Sequence, residues 1–241
     1  MQTAVAASPP IPAAAPESEA LLAAAREGRM SLQDLMSHAQ ALQSAGRAAE
    51  AAGLYETWIN GTDSPLRPVA CFNWGTLLSA AGQEPAAEAA YRRALDLQPG
   101  FAPAQLNLGH LLERRGAVDA AVSCWREVFE ADPPPALEHR LHALNNSARL
   151  LENLRRYPEA EALMRRSLEL KDAQLDVIQH YVHIRQKQCA WPHDLPVGRV
   201  SPNQFLLGTS LLATMGLHDD PALQLLAAQR FVHDKVPASP A

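Results

Sequence analysis

Residues 75–99 read GTLLSAAGQEPAAEAAYRRALDLQP, and residues 109–133 read GHLLERRGAVDAAVSCWREVFEADP. Laid over each other at a shift of 34, they match Gly75 to Gly109, Leu78 to Leu112, Gly82 to Gly116, Ala87 to Ala121, Tyr91 to Trp125 and Pro99 to Pro133. Each match has a physical sense. Gly75 and Gly109 remove a side chain where two helices cross closely. Gly82 and Gly116 stand where a helix ends in a left-handed residue. Ala87 and Ala121 let a second helix approach the first, and Tyr91 and Trp125 supply bulk between neighbouring units. Pro99 and Pro133 stop the second helix.

A repeated helix–turn–helix in a 34-residue register is the pattern of the tetratricopeptide repeat (TPR). A generic helical bundle needs no such register. Two good copies cover about residues 68–101 and 102–135. A weaker copy at 32–67 carries Ala39, Leu42, Gly46, Ala51 and Tyr55, and closes with a slightly long loop, NGTDSP. A fourth, at 141–174, carries Ala148, Leu151, Ala160 and Met164, is displaced around PPPALEH, and has Arg155 where glycine is usual. SEALLAAAREG adds a capping helix with Ser18 as its N-cap. DAQLDVIQHYVHIRQKQ, with Leu175, Ile178, Tyr181 and Val182 at helical spacing, begins a further unit. The expected fold is all-α, a TPR α-solenoid winding as a right-handed superhelix. Residues 1–17 form a disordered Ala/Pro-rich leader, 18–190 the array, and 191–241 a junction with one or two helices and a disordered tail.

Bulk composition agrees with this. The chain of 241 residues is 47% hydrophobic but only 5% aromatic, which suits close helix packing rather than a β-sandwich. A formal net charge of −5 argues against nucleic-acid binding. No uninterrupted apolar run is long enough to span a membrane, so no membrane partner is expected. MQTAVAASPPIPAAAPE lacks the basic start of a signal peptide, and its prolines break the apolar run. Three widely spaced cysteines, Cys71, Cys124 and Cys189, form no CxxC pair and fit free thiols in a cytoplasm.

A TPR array has no built-in reaction centre, so function must come from the groove lined by the first helices or from an attached domain. Asn73, Thr76, Asn107, His110, Glu113, Asn146, Arg149 and Glu152 occupy first-helix positions that avoid the interhelical core. Asn73, Asn107 and Asn146 share one equivalent position in three successive units, with Ser37 at that place in the unit before. Asparagine is a poor helix former. An amide carries a donor and an acceptor, and so holds the backbone of an extended peptide without reading its sequence. The plainer alternative has each amide facing water or bonding a neighbouring turn.

The C-terminal third adds a resemblance. QHYVHIRQKQCAWP (179–192) and LLGTSLLATMGLHDDPALQLLAAQRFVHDK (206–235), together with the three asparagines, resemble bacterial relatives of O-linked N-acetylglucosamine transferase. In that family a TPR array leads through such a junction into a glycosyltransferase domain using UDP-GlcNAc. The resemblance covers about residues 35–235 and implies a substrate-recruiting arm, with Asn73, Asn107 and Asn146 as the peptide-contacting asparagines. The family's catalytic domain would begin after residue 241. No residue is therefore carried over as catalytic, and no cofactor is expected. The rival readings are a split or truncated glycosyltransferase and a structural adaptor whose tail helix docks a partner.

Other candidates have ordinary explanations. His180, His183, Cys189 and His193 lie close enough in sequence to suggest a metal site, but Trp191–Pro192 intervenes and no acidic fourth ligand is evident. Packing and capping is the reading taken, and no metal is expected. Arg185 and Lys187 fit a solvated helix end better than a phosphate site. HDDPALQLLAAQRFVHDK reads as a helix capped by Asp219 or Asp220, with Pro221 in its first turn and an apolar stripe of Leu223, Leu226, Ala227, Phe231 and Val232. That stripe packs on the last repeat or is left partly exposed. No nucleophile-elbow, phosphate-loop, zinc-protease or dinucleotide motif occurs.

Overall fold

A computed structural model describes residues 16–210, 213–215 and 219–235. Most of the expected leader, and the last six residues of the expected tail, lie outside the described residues. The regular structure of the described residues is helical throughout. The chain divides into two compact units, residues 1–104 and 105–241. The first holds α1 (Pro16–Arg26), α2 (Leu32–Ser44), α3 (Ala48–Gly61), α4 (Arg67–Ala80) and α5 (Glu84–Leu97). The second holds α6 (Ala102–Arg114, whose first turn precedes the boundary), α7 (Val118–Phe129), α8 (Leu137–Asn153), α9 (Tyr157–Leu170), α10 (Leu175–Lys187), α11 (Pro202–Gly208) and α12 (Pro221–Lys235).

The turns inside the hairpins are all built one way. After α2, α4 and α6, the residues Gly46, Gly82 and Gly116 take φ of +75°, +73° and +74°. In each, the N–H of this residue reaches back three residues and the next N–H reaches back five. The pairs are Gly46→Gln43 with Arg47→Leu42, Gly82→Ser79 with Gln83→Leu78, and Gly116→Glu113 with Ala117→Leu112. This is the Schellman motif, which satisfies carbonyls that a helix end would otherwise leave without donors. The same pair of bonds recurs after α8, Arg155→Glu152 with Arg156→Leu151, and after α10, Cys189→Gln186 with Ala190→Arg185. There the left-handed residue is not glycine: Arg155 has φ +60° and Cys189 φ +53°. Cys189 stands 34 residues after Arg155, but the chain after it runs as a loop to Pro202 rather than straight into a second helix.

Packing inside the hairpins rests on a ring laid over a glycine. A Cβ on Gly75 would lie 2.6 Å from Tyr91 Cε1, and one on Gly109 would lie 2.2 Å from Trp125 Nε1. Both rings are buried, and Trp125 Nε1 donates to the Leu106 carbonyl at 3.1 Å, so no polar atom of the indole is stranded. The rings thus fill notches within their own hairpins, a more local role than bulk between units. Ala148 and Met164, both buried, repeat the 16-residue spacing with a slightly larger notch residue and a flexible side chain in place of a ring.

Three features of the ends differ from or extend the expectations. Ser18 lies inside α1 rather than capping it. Its hydroxyl donates to Glu50 Oε2 at 2.8 Å and accepts from Arg47 Nη2 at 2.7 Å, tying α1 to the start of α3. Those two partners hold the Glu50 carboxyl at about 2, Arg47 contributing more than Ser18. The true N-cap in this region is Ser31, which forms a capping box with Asp34 at the start of α2. In the second unit α11 packs on α10, where a Cβ on Gly208 would lie 2.8 Å from Ile178 Cγ2. Asp220 caps α12 by accepting from the Ala222 N–H at 2.8 Å.

These geometries predict three stability changes of different sign. Gly53, in α3, has nothing within 4 Å of an added Cβ, so Gly53→Ala stabilises by up to about 1 kcal/mol through helix propensity. Gly109→Ala makes the same propensity gain but drives a methyl into the buried Trp125, and is expected to be destabilising by about 1–3 kcal/mol net. Arg155→Gly relieves a left-handed side chain worth about 1–2 kcal/mol against about 0.5–1 kcal/mol of glycine entropy, a small net gain. Thermal and urea melts of the three variants check the order.

Candidate functional site

The first unit contains an open groove of about 530 Å³ between α2, α3 and α4. Asn73 and Thr76 project from α4 into it, facing Met36 and Gln40 on α2, with Tyr55 of α3 and Leu77 in its lining. Thr76 is exposed and its hydroxyl donates to the Phe72 carbonyl at 3.1 Å, a bond back along its own helix. Asn73 is half-buried, and its Nδ2 is buried with no acceptor. An unmade bond at a buried amide is costly and rare in folded proteins. Gln40 was not singled out from sequence, although a signal was present: it stands three residues after Ser37 as Thr76 stands three after Asn73.

In the second unit the expected groove residues meet one another. Asn107 is half-buried on α6, three residues before His110. Asn146 Nδ2, on α8, lies 3.2 Å from His110 Nε2. An amide nitrogen only donates, so this contact makes Nε2 the acceptor and leaves the imidazole proton on Nδ1, which faces Glu113 Oε2 at 3.6 Å. Glu113 Oε1 in turn accepts from Arg149 Nη2 at 2.6 Å. One turn further along α8, Glu152 Oε2 lies 2.8 Å from His180 Nδ1 on α10. His110, Glu113, Asn146, Arg149 and Glu152 therefore form a polar seam linking α6, α8 and α10, with His180 added to it.

The two histidines of the seam are biased in opposite directions. His110 sits edge-on to the Trp125 ring at 5.2 Å between centroids, and burial lowers its pKa despite the hydrogen bond to Glu113. His180 is raised, first by its hydrogen bond to Glu152, against a smaller opposing effect of burial. Burial thus favours the neutral form at His110, and the Glu152 carboxylate favours the charged form at His180.

The remaining candidates have structural roles. Arg185 is buried rather than solvated: its guanidinium bonds Glu161 and donates to the Pro192 carbonyl at 2.8 and 3.0 Å, pinning the loop after α10. His193 is buried, with Nδ1 3.0 Å from the Ala190 carbonyl and its ring 3.8 Å from that of the exposed Trp191. With His180 on Glu152 and Cys189 holding a turn, these side chains do not converge. Among the described residues no group of three His, Cys, Asp or Glu is placed to hold a metal. Along α12, Leu223 and Ala227 are half-buried while Leu226 and Val232 are exposed, and the Phe231 side chain lies outside the described residues. No helix of the described residues is long and apolar enough to cross a membrane.

Residues 140–171 match the tetratricopeptide repeat family. That segment is the α8–α9 hairpin, the copy whose turn carries Arg155. No curated protein matches the chain. Solved structures do match by fold. PilF of Pseudomonas aeruginosa is 14% identical, with 92% of this chain and 95% of PilF covered at a TM-score of 0.57. MamA of Desulfovibrio magneticus RS-1, from residue 41 onward, is 16% identical, with 65% of this chain and 84% of that one covered at 0.51. YrrB, described as a TPR protein with an unusual peptide-binding site, is 16% identical, with 88% and 99% covered at 0.52. The fold is thus all-α, a TPR α-solenoid, as the register of 34 residues led us to expect.

The seam gives a pH prediction with a definite sign. His180, raised in the folded state, adds stability that is fully present below its unfolded pKa and is lost as pH rises through the folded value. His110, lowered, does the reverse, and stability falls as pH drops below the unfolded value. Titration of the imidazole carbon resonances by NMR should find His180 above and His110 below the ordinary histidine value. Glu152→Gln should bring His180 down and leave His110 in place.

Proposed function

We propose that this chain is a protein-interaction module that binds an extended peptide segment along its first-helix faces. The observation that carries the proposal is Asn73, a helical amide with a buried donor that has no acceptor, beside an open groove of about 530 Å³. The half-buried Asn73 side chain lines that groove and carries both a donor and an acceptor for a passing peptide backbone. The peptide-binding site described for YrrB, which shares the fold, supports the same reading. The polar seam of α6, α8 and α10 offers further amide, imidazole and carboxylate groups on the corresponding helix faces of the second unit.

A finer reading makes the chain the substrate-recruiting arm of an enzyme like O-linked N-acetylglucosamine transferase. It is supported by the resemblance of residues 179–192 and 206–235, and its catalytic partner would be a glycosyltransferase domain outside these residues. Part of that resemblance has a folding role, since Tyr181, Val182, Ile184 and Arg185 are buried. We place the protein in the cytoplasm because its cysteines form no disulfide, Cys71 and Cys124 being buried and Cys189 exposed.

Two measurements test these readings. Replacing Asn73, Asn107 and Asn146 together by alanine should weaken capture of peptides selected from a random display library by about tenfold or more, with helicity by circular dichroism retained. Unchanged capture would return the three amides to ordinary surface roles. The chain alone should transfer no sugar from UDP-GlcNAc to a protein acceptor, and measurable turnover would make it an enzyme.

A further inference from the structure

We infer that the groove of the first unit selects an uncharged segment: an aliphatic side chain seated on Met36, Tyr55 and Leu77, with the adjoining backbone carbonyl received by Asn73. This rests on the peptide-binding reading above and adds what that peptide must look like. No residue lining the groove carries a charge. Its polar groups are the side-chain amides of Gln40, Gln43 and Asn73 and the hydroxyls of Thr76 and Tyr55. Such groups match the donors and acceptors of a peptide backbone and offer nothing to neutralise an ion. A carboxylate or ammonium entering here would leave water without finding a counter-charge. Tyr55 and Leu77 line the groove but are themselves buried, and the exposed apolar side chain of its wall is Met36 on α2, 43% accessible. Methionine adapts to aliphatic shapes with little strain.

Asn73 supplies the orienting contact. Its Nδ2 is buried against the protein without an acceptor. The terminal torsion of asparagine is soft and roughly two-fold, so a half-turn exchanges the amide oxygen and nitrogen. That motion would carry the donor outward to a ligand carbonyl and set Oδ1 in the buried position. The groove is open rather than enclosed, which fits a chain passing through better than a small molecule held inside. The first-helix faces of the second unit are different in kind, because Glu113 and Arg149 form an ion pair there and His180 faces Glu152. A binding segment thus has its neutral requirement set by residues of the first unit.

The test uses the full chain and capped heptapeptide pools of serine and alanine with one central position varied to leucine, aspartate or lysine, followed by fluorescence anisotropy. The leucine pool should bind about tenfold more tightly than either charged pool. Its affinity should change by less than about twofold between low salt and half-molar salt, since no ion pair forms. Asn73→Ala, and Ala80→Glu on the exposed rim of the groove, should each weaken the leucine pool by about tenfold, while Ala80→Ser retains it. Preference for a charged pool, or leucine binding insensitive to both Asn73→Ala and Ala80→Glu, overturns the inference. If a charged pool wins and its binding falls in Asn107→Ala or Asn146→Ala, the peptide-binding reading stands and only the neutral selectivity fails. If no pool binds, both fall.

Discussion

The contact of an aromatic ring with the bare backbone of a facing glycine governs how the α4–α5 and α6–α7 hairpins are built. At Gly109 the indole of Trp125 occupies the space a Cβ would need, and at Gly75 the ring of Tyr91 does the same. Two helices brought this close bury their small residues almost completely, Ala87, Ala90 and Ala94 along α5 among them. Alanine-rich helices have little apolar area each, so they gain stability only if packed at short range. The glycine notch is what allows that range. The Schellman turn then fixes the angle at which the second helix returns, and a left-handed residue is required there whatever its side chain. Arg155 and Cys189 show the constraint: the backbone conformation persists where glycine is absent.

This explains which parts of the protein were legible in the sequence. Notch, turn, small residue and ring are local requirements imposed at fixed spacing, and a shift of 34 residues exposes them directly. The turn at Cys189 obeys the same spacing from Arg155 but was obscured by its neighbours, because a cysteine among histidines suggests ligands before it suggests a turn. Arg185 was misplaced for a related reason. A cation near a helix end is ordinarily solvated, and only the folded chain brings Glu161 and the Pro192 carbonyl to it. Ser18 looked like a helix cap by type, yet its partners are 29 and 32 residues away in sequence. Long-range pairings of this kind leave no periodic trace.

The outward first-helix residues were legible by their exposure and not by their partners. First-helix positions that avoid the core could be counted off, and Asn73, Thr76, His110, Glu113, Asn146, Arg149 and Glu152 all lie half-buried or exposed. Their partners depend on which helices become neighbours. Asn146 finds His110 at 36 residues' separation, and Arg149 finds Glu113 at the same separation. The repeat near 34 is lengthened by the extra residues before α8, so the same register that spaces the hairpins also sets these pairs. Asn73 has no such partner, and the equivalent asparagines therefore differ in what remains free to bind.

That difference follows from a division of labour within each repeat. The notch, the small residues and the ring are committed to the hairpin, and changing any of them disturbs packing. The outward face of the first helix carries none of that burden, so its chemistry varies from unit to unit without altering the fold. In the first unit this face is amide, hydroxyl and methionine; in the second, carboxylate, guanidinium and imidazole join the amides. A polar pair already formed between neighbouring helices must be broken before a ligand can use either member, which penalises binding through those groups. The Asn73 amide is committed to no such pair, so a ligand that meets it breaks no existing contact. Several buried polar atoms among the described residues lack a partner, Trp74 Nε1 and Ser147 Oγ included, and Asn73 is the one of them that also lines the open groove.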